Sequence, residues 1–267
     1  MQDFSYRRPS DCAEAVRLCR EEPDAKLLGG GMTLLPTMKQ RLAAPPMLVD
    51  VAQLAELQGV GRAGDRLSIG GGVRHAAVAA SPVVRAAIPG LASLAGGIGD
   101  PMVRNRGTLG GSLANNDPAA DYPAGALALN ARFRTDRREI VAQDFFAGLF
   151  ATALEDGEIL VEVSFQVPAR SAYAKLRNQA SRFATCGVFV AQWPDGAVTL
   201  AVTGAGQDGV FRSAAMERAL TADCRPESLA GILPDEPDML TDHTASGRYR
   251  AHLVNVMARR AVVGLAS

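Results

Sequence analysis

Gly99-Asp100-Pro101-Met102-Val103-Arg104-Asn105-Arg106-Gly107-Thr108-Leu109-Gly110-Gly111-Ser112 runs without a break into Leu113-Ala114-Asn115-Asn116-Asp117-Pro118-Ala119-Ala120-Asp121. From Ile98 to Asp121 the block holds four glycines, two arginines, three asparagines and three aspartates among few large side chains. Such a stretch buries little apolar surface for itself. It has the composition of backbone arranged around a ligand. Glycine permits positive φ and close backbone approach. Amides and hydroxyls here can hold phosphate oxygens, and Asp121 can accept from ribose or ribityl hydroxyls. Asp117-Pro118 predicts a helix start, with Asp as N-cap and Pro at the first helical position, and a helix running to about Leu129. Arg104 and Arg106 are open to a second reading, as solvated side chains or partners of Asp100.

Upstream, Leu27-Leu28-Gly29-Gly30-Gly31-Met32-Thr33-Leu34-Leu35-Pro36 takes a short strand into three glycines and a helix start. Consecutive amides at such a place can face one concavity and suit a pyrophosphate. The spacing is not that of the G-x-G-x-x-G dinucleotide fingerprint, and no Gly-Lys-Ser/Thr follows as in a P-loop. Taken alone, the loop is equally readable as an ordinary tight turn.

Around these two loops the pattern alternates. Ser10–Arg20 predicts an amphipathic helix capped by Ser10. Leu57–Arg62 and Arg66–Gly70 form a hairpin pattern. Arg74–Gly97 is helix-prone and broken at Pro82 and Pro89. Strand patterns at Ala131–Thr135 and Ile159–Val167 bracket a short helix. A boundary falls near Pro168. Beyond it, Tyr173–Gln179, Thr185–Trp193 and Ala197–Gly204 predict antiparallel strands, with a last helix over about Thr244–Val263.

Composition narrows the function classes. The chain has 267 residues, 48% hydrophobic, with 28 basic and 28 acidic side chains and a formal net charge of zero. That balance argues against a nucleic-acid partner. No secretory signal opens the chain, and no apolar run approaches the ~18 residues of a membrane span. The cysteines, Cys12, Cys19, Cys186 and Cys224, lack C-x-x-C spacing and histidine partners. They predict free core thiols in a reducing compartment, hence a cytoplasmic chain with no metal site and no iron–sulfur cluster of its own.

The two glycine segments resemble those of the FAD-binding medium subunits of the xanthine dehydrogenase and aerobic carbon monoxide dehydrogenase (molybdenum hydroxylase) family. Members carry an A-G-G-Q-S-L-L-P-like loop, a G-D-P-x-V-R-N-R-G-T-x-G-G-S block and a D-P-A-x-D continuation. Met32 replaces the usual polar residue of the first loop, and Gly29 replaces alanine. The resemblance implies an α+β fold of the PCMH, vanillyl-alcohol-oxidase-like type. Its two FAD-binding subdomains span about 1–56 and 57–168, followed by a C-terminal domain of antiparallel strands with helices over 169–267.

By the same resemblance, Gly30, Gly31, Thr33, Thr108, Gly110 and Gly111 surround an FAD pyrophosphate and Asp121 meets the sugar-like part. Leu28, Gly29, Met32, Leu34, Gly99, Asp100, Val103, Arg104, Asn105, Gly107, Ser112, Asn116 and Asp117 complete the expected contacts. Ala172-Tyr173-Ala174-Lys175-Leu176 and Ser181-Arg182-Phe183-Ala184 look like the family's segment beside the flavin. There Phe183 covers the ring, through a purely apolar contact, and Lys175 is a polar neighbour. His75 has two readings, helix-start packing or an acid–base group of a stand-alone enzyme.

The expected function is electron transfer. Electrons arrive from [2Fe-2S] clusters of a small partner subunit, with a molybdopterin cofactor in a large one. They leave to NAD, a quinone or oxygen, in a dimer of heterotrimers. The rival readings are a stand-alone FAD-dependent oxidase or reductase and a flavin-free assembly subunit. Nothing in this chain identifies the substrate of such a complex.

Overall fold

The computed structural model describes residues 1–265. The chain opens with β1 (Ser5–Arg7), α1 (Cys12–Glu21), β2 (Lys26–Leu28), α2 (Leu34–Lys39) and β3 (Met47–Asp50). The three strands form a parallel sheet in the order β1-β3-β2. Asp11, not Ser10, caps α1: its carboxylate accepts from the Glu14 amide at 2.7 Å, while Glu14 reaches back to the Ser10 amide at 2.7 Å. This reciprocal pairing satisfies two otherwise orphaned donors. It turns Cys12, Ala15, Val16 and Cys19 onto one buried face.

Next come β4 (Val60–Ala63) and β5 (Arg66–Gly70), then α3 (His75–Ala80), α4 (Pro82–Ala87), α5 (Pro89–Gly96), α6 (Pro101–Arg104), α7 (Leu109–Asn115) and α8 (Tyr122–Ala128). Pro82 and Pro89 stand at the first positions of α4 and α5, where the missing N–H costs nothing. The helix expected from Asp117 starts four residues later. Asp117 instead closes a turn by accepting from the Ala119 amide at 2.8 Å, and Asp121 stands at the N-cap of α8 without a side-chain capping bond.

The chain continues through β6 (Arg132–Thr135), β7 (Glu139–Val141), α9 (Ala142–Phe145), β8 (Phe146–Gly148), β9 (Ala151–Thr152) and β10 (Leu160–Gln166). The second sheet runs β4-β5-β10-β6-β7, with each neighbouring pair antiparallel. β10 lies at its centre. Ile159 and Val161 pack against α1, β3 and Leu57 in one core, joining the first sheet to the second.

The third sheet is β11 (Arg170–Arg177), β12 (Ala184–Gln192), β13 (Val198–Gly206) and β14 (Gly209–Arg212), antiparallel throughout. α10 (Ala214–Ala222) and α11 (Gly247–Gly264) follow. β12 is buried on both faces: Phe189 and Ala191 enter the core with Leu91 and Tyr122, while Val188 and Val190 face Leu253, Val254 and Met257 of α11. That two-sided burial explains its nearly uninterrupted apolar sequence. Arg250, 3% exposed, ties α11 down by donating to the carbonyls of Thr185 at 2.5 Å and Gly204 at 2.6 Å and to Asp242 at 2.7 Å.

Candidate functional site

Three glycine runs leave three separate elements and meet backbone to backbone. Gly29-Gly30-Gly31 follows β2, Gly70-Gly71-Gly72 ends β5, and Gly107 to Gly111 opens α7. A Cβ on Gly30 would strike the Arg106 carbonyl oxygen and lie 2.6 Å from the Gly107 Cα. One on Gly110 would lie 2.7 Å from the Gly71 oxygen and 2.9 Å from its Cα. The Gly110 amide donates to that same oxygen at 2.8 Å, and the Gly71 amide donates to Val161 O at 2.7 Å. Real Cβ atoms do not come so close, so these positions require glycine for contact rather than for dihedral freedom.

The converging loops leave a cleft of about 930 Å³, within the ~300–1,000 Å³ typical of cofactor and small-molecule sites. Leu28, Gly29, Gly30, Gly31, Met32, Thr33 and Leu34 line one wall. Gly99, Val103, Gly107, Thr108, Gly110, Gly111, Ser112, Asp117 and Asp121 line the facing wall, and Phe183 stands at one end.

Hydrogen-bonding capacity is unequally shared. In the second block Leu109 donates to Val73 O, Gly110 to Gly71 O and Ser112 to Thr108 O. The Gly111 amide donates to the Thr108 hydroxyl at 3.1 Å, the cap of α7. Among the described residues, the amides from Gly30 to Thr33 have no such protein partner. Gly31 turns that loop at φ +72°. The first loop thus carries a run of consecutive unpaired amides beside the cleft, while the second spends most of its amides on its own packing and supplies the facing wall.

Five residues expected in the site do not line the cleft. Asp100 caps α6, accepting from the Val103 amide at 2.9 Å. Arg104 donates to the Ile98 carbonyl at 2.9 Å, and the Asn105 side chain to Pro101 O at 2.7 Å. Asn116, left-handed at φ +42°, donates its amide to the carbonyls of Gly148 and Ala151, both at 2.8 Å. Lys175 turns inward to Asp121 at 2.8 Å, with 4% of its side chain exposed. These side chains brace the loops from behind.

Asp121 is 3% exposed and is held by Lys175 and by the Tyr173 hydroxyl, which donates at 2.6 Å. Burial and the neighbouring carboxylate raise the Tyr173 phenol well above its usual value, so it stays a donor. Asp121 reaches the cleft with its position fixed and acceptor capacity to spare, since a carboxylate offers about four lone-pair sites. Burial also raises the Asp117 carboxyl, against the opposing pull of the Ala119 amide.

Several lining residues carried no flag in the sequence. Gly71 and Gly72 had a readable signal: a third glycine run behind an apolar strand, the same pattern as the first loop. At the far end Val16, Cys19, Ala25, Leu27, Ile159 and Leu160 make an apolar wall beside Arg137 and Glu158. No local signal marks them, because two sheets must meet to form it. Phe150 is 61% exposed at φ +54°, and its amide donates to Asn116 O at 3.1 Å. A bulky residue in that conformation is a genuine outlier. Phe183 is 42% exposed. The Phe150 backbone is anchored at Asn116 O, and that of Ala184, next to Phe183, at Ala119 O, and both phenylalanines line the cleft.

A mixed α/β chain whose glycine loops enclose a long cleft in this way defines a dinucleotide-binding oxidoreductase fold. Residues 2–169 match the family described as "FAD binding domain in molybdopterin dehydrogenase", and the chain belongs to that family. It is 34% identical to the carbon monoxide dehydrogenase medium chain of Hydrogenophaga pseudoflava, over 97% of this chain and 96% of that one. It is 30% identical to the glyceraldehyde dehydrogenase medium chain of Sulfolobus acidocaldarius, over 97% of each. Among solved structures, reconstituted CO dehydrogenase from Oligotropha carboxidovorans superposes with a TM-score of 0.91 at 29% identity, covering 99% of this chain and 98% of that one. The expected α+β, FAD-binding fold is the fold observed. Among the described residues, no helix is long and apolar enough to cross a membrane.

Proposed function

We propose that the cleft holds FAD and that the chain is the electron-transferring medium subunit of a molybdenum-containing dehydrogenase. On this reading it accepts electrons from [2Fe-2S] clusters of a small subunit and delivers them to an external acceptor such as NAD, a quinone or oxygen. A large subunit carries the molybdopterin cofactor and the substrate. Bound FAD supplies both one- and two-electron chemistry, the property needed between iron–sulfur centres and a two-electron acceptor.

The observation that carries the reading is the glycine cradle. Gly30, Gly71 and Gly110 are positions where a side chain would collide with backbone, Gly107 is one where it would collide with the His75 ring, and the cleft beside them has the size of a cofactor site. The residues fit the group. The amides from Gly30 to Thr33 face a diphosphate, Gly111 and Ser112 leave it room, and Asp121 accepts from the sugar hydroxyls. Phe183 covers the ring through apolar contact. Lys175 acts through Asp121, as its positioning residue. We assign residues 1–168 to FAD binding, with subdomains at about 1–56 and 57–168, and 169–267 to the C-terminal domain. The third sheet supplies the Tyr173–Lys175 brace.

The relatives act on carbon monoxide and glyceraldehyde by name, so their medium chains serve different substrates. The substrate of the present complex is a property of its large subunit, and the dimer of heterotrimers and cytoplasmic location belong to this same reading. The test is to isolate the native complex and measure flavin absorbance, iron and molybdenum. One FAD per chain, with iron and molybdenum in co-purifying chains, supports the reading; a colourless chain, or one active alone on a small substrate, overturns it.

A further inference from the structure

His75 begins α3 and is 4% exposed, yet it contributes to the wall of the cleft. Its backbone amide donates to Gly107 O at 3.0 Å, which pins the ring against the second glycine run. One edge of the imidazole abuts that run: a Cβ on Gly107 would lie 2.6 Å from Nε2 and 2.8 Å from Cδ2. Glycine at 107 thus makes room for this edge. The opposite nitrogen, Nδ1, is sealed in the interior with no hydrogen-bond partner, as is the hydroxyl of Tyr122, whose ring centroid lies 5.3 Å from that of His75.

A neutral imidazole carries one N–H. Placing it on Nδ1 would orphan a buried donor, whereas a bare buried acceptor is the lesser cost. The proton accordingly sits on Nε2, beside Gly107. We propose that His75 is a positioning residue of the cleft, a neutral hydrogen-bond donor that presents Nε2–H beside Gly107 to an oxygen of the bound dinucleotide's diphosphate. The inference rests on the FAD reading and names one contact within it.

The surroundings keep the ring neutral. Burial, aided by Arg104, lowers its pKa to about 4. Of the elements packed on α3, α5 carries no titratable side chain, and Arg85 of α4 is turned to the Ala79 carbonyl at 2.8 Å. Arg104 of α6 is turned to the Ile98 carbonyl, and α8 presents Tyr122. Among the described residues, no acid is positioned to draw a second proton onto the ring. In the free chain the ring is therefore a neutral donor above about pH 5.

The test compares His75→Gln, whose amide nitrogen reaches the place of Nε2, with His75→Leu, of similar size and without a donor. Dissociation constants for FAD and for ADP are measured on the full chain, with circular dichroism and thermal unfolding as controls for folding. The expected result is that Leu weakens both ligands about ten- to a hundredfold, as loss of a bond to a charged group does, and that Gln restores most of it. Equal affinity for Leu and wild type overturns the inference, as does a Gln variant as weak as Leu, or a loss for FAD without one for ADP. In each of these cases FAD binding by the wild type leaves the functional reading standing. A wild-type chain that takes up no FAD overturns that reading and this inference together.

Discussion

Gly110 and Gly111 are neighbours in the sequence with opposite structural duties, and alanine at each separates them. A methyl group at 110 lies 2.7 Å from the Gly71 oxygen, where ordinary contact begins near 3.4 Å, so the two loops must part by about 0.7 Å. Overpacking of this kind costs about 1–3 kcal/mol, and weakening the Gly110 amide's bond to Gly71 adds about 1 kcal/mol. Alanine's helical preference over glycine returns up to about 1 kcal/mol. The net is about 1–3 kcal/mol, roughly 2–10 °C in the melting temperature of a chain this size. At 111 the methyl meets only the Thr108 hydroxyl, at 2.8 Å. Disturbing that cap costs about 1 kcal/mol, and alanine's preference offsets about as much. Gly111→Ala therefore melts close to wild type but places its methyl group in the cleft and weakens FAD. Scanning calorimetry of the apo chains and fluorescence titration with FAD read the two effects separately. A Gly110→Ala chain that melts within about 1 °C of wild type while losing FAD would refute the assignment of Gly110 to loop packing.

Phe150→Gly removes a phenyl from a left-handed position and is expected to stabilise the apo chain by up to about 1 kcal/mol, while flavin absorbance and circular dichroism show a looser site; an unchanged flavin spectrum would remove Phe150 from the ring's surroundings. Burial pushes the Glu158 carboxyl up, but the Arg138 guanidinium, the Glu155 amide and the Thr135 hydroxyl bring it down to about 2. Its stabilisation is present above the unfolded value of 4.5 and is lost as pH falls toward 2. After discounting for Arg138, whose side chain is 42% exposed, the contribution is about 2 kcal/mol. Glu158→Gln should flatten the stability profile over that window, as urea midpoints from pH 6 to pH 2.5 will show. Arg250→Leu leaves two carbonyls and Asp242 without their donor and is expected to cost about 3–5 kcal/mol, measured by urea unfolding; a loss below about 1 kcal/mol would show that water replaces it without penalty.

The glycine loops were legible because their requirement is local. Gly30, Gly107, Gly110 and Gly111 stand in side-chain-poor runs that are uncommon inside strands and helices, although Gly110 and Gly111 lie in the first turn of α7, and Thr108 and Asp100 cap the helices there. The strand runs after Pro168, set off by the Pro194-Asp195-Gly196 turn, and the proline breaks at 82 and 89 were legible for the same reason. Misreadings arose where a local rule met a tertiary competitor. Asp117-Pro118 has the form of a helix start, yet the carbonyls of Pro118 and Ala119 accept from Gly204 and Ala184 of the third sheet, and the helix begins only once the chain has left that contact. Lys175, expected as a polar neighbour of the flavin, is turned to Asp121 by the fold, because a buried carboxylate needs a nearby charge.

What the sequence determined by itself was the presence of two side-chain-poor loops suited to a diphosphate, an α+β chain around them, and the family they resemble. What only the tertiary structure decided was the division of labour among those residues. The first loop keeps its amides unpaired, the second spends most of its own on Gly71, Val73 and Thr108, and the apolar end of the cleft exists only where Ile159 and Leu160, at the start of β10, meet Ala25 and Leu27, at the start of β2. The physical reason is range: dihedral freedom and capping act over a few residues and leave their mark in order along the chain, whereas which donors remain free depends on partners brought together from distant segments.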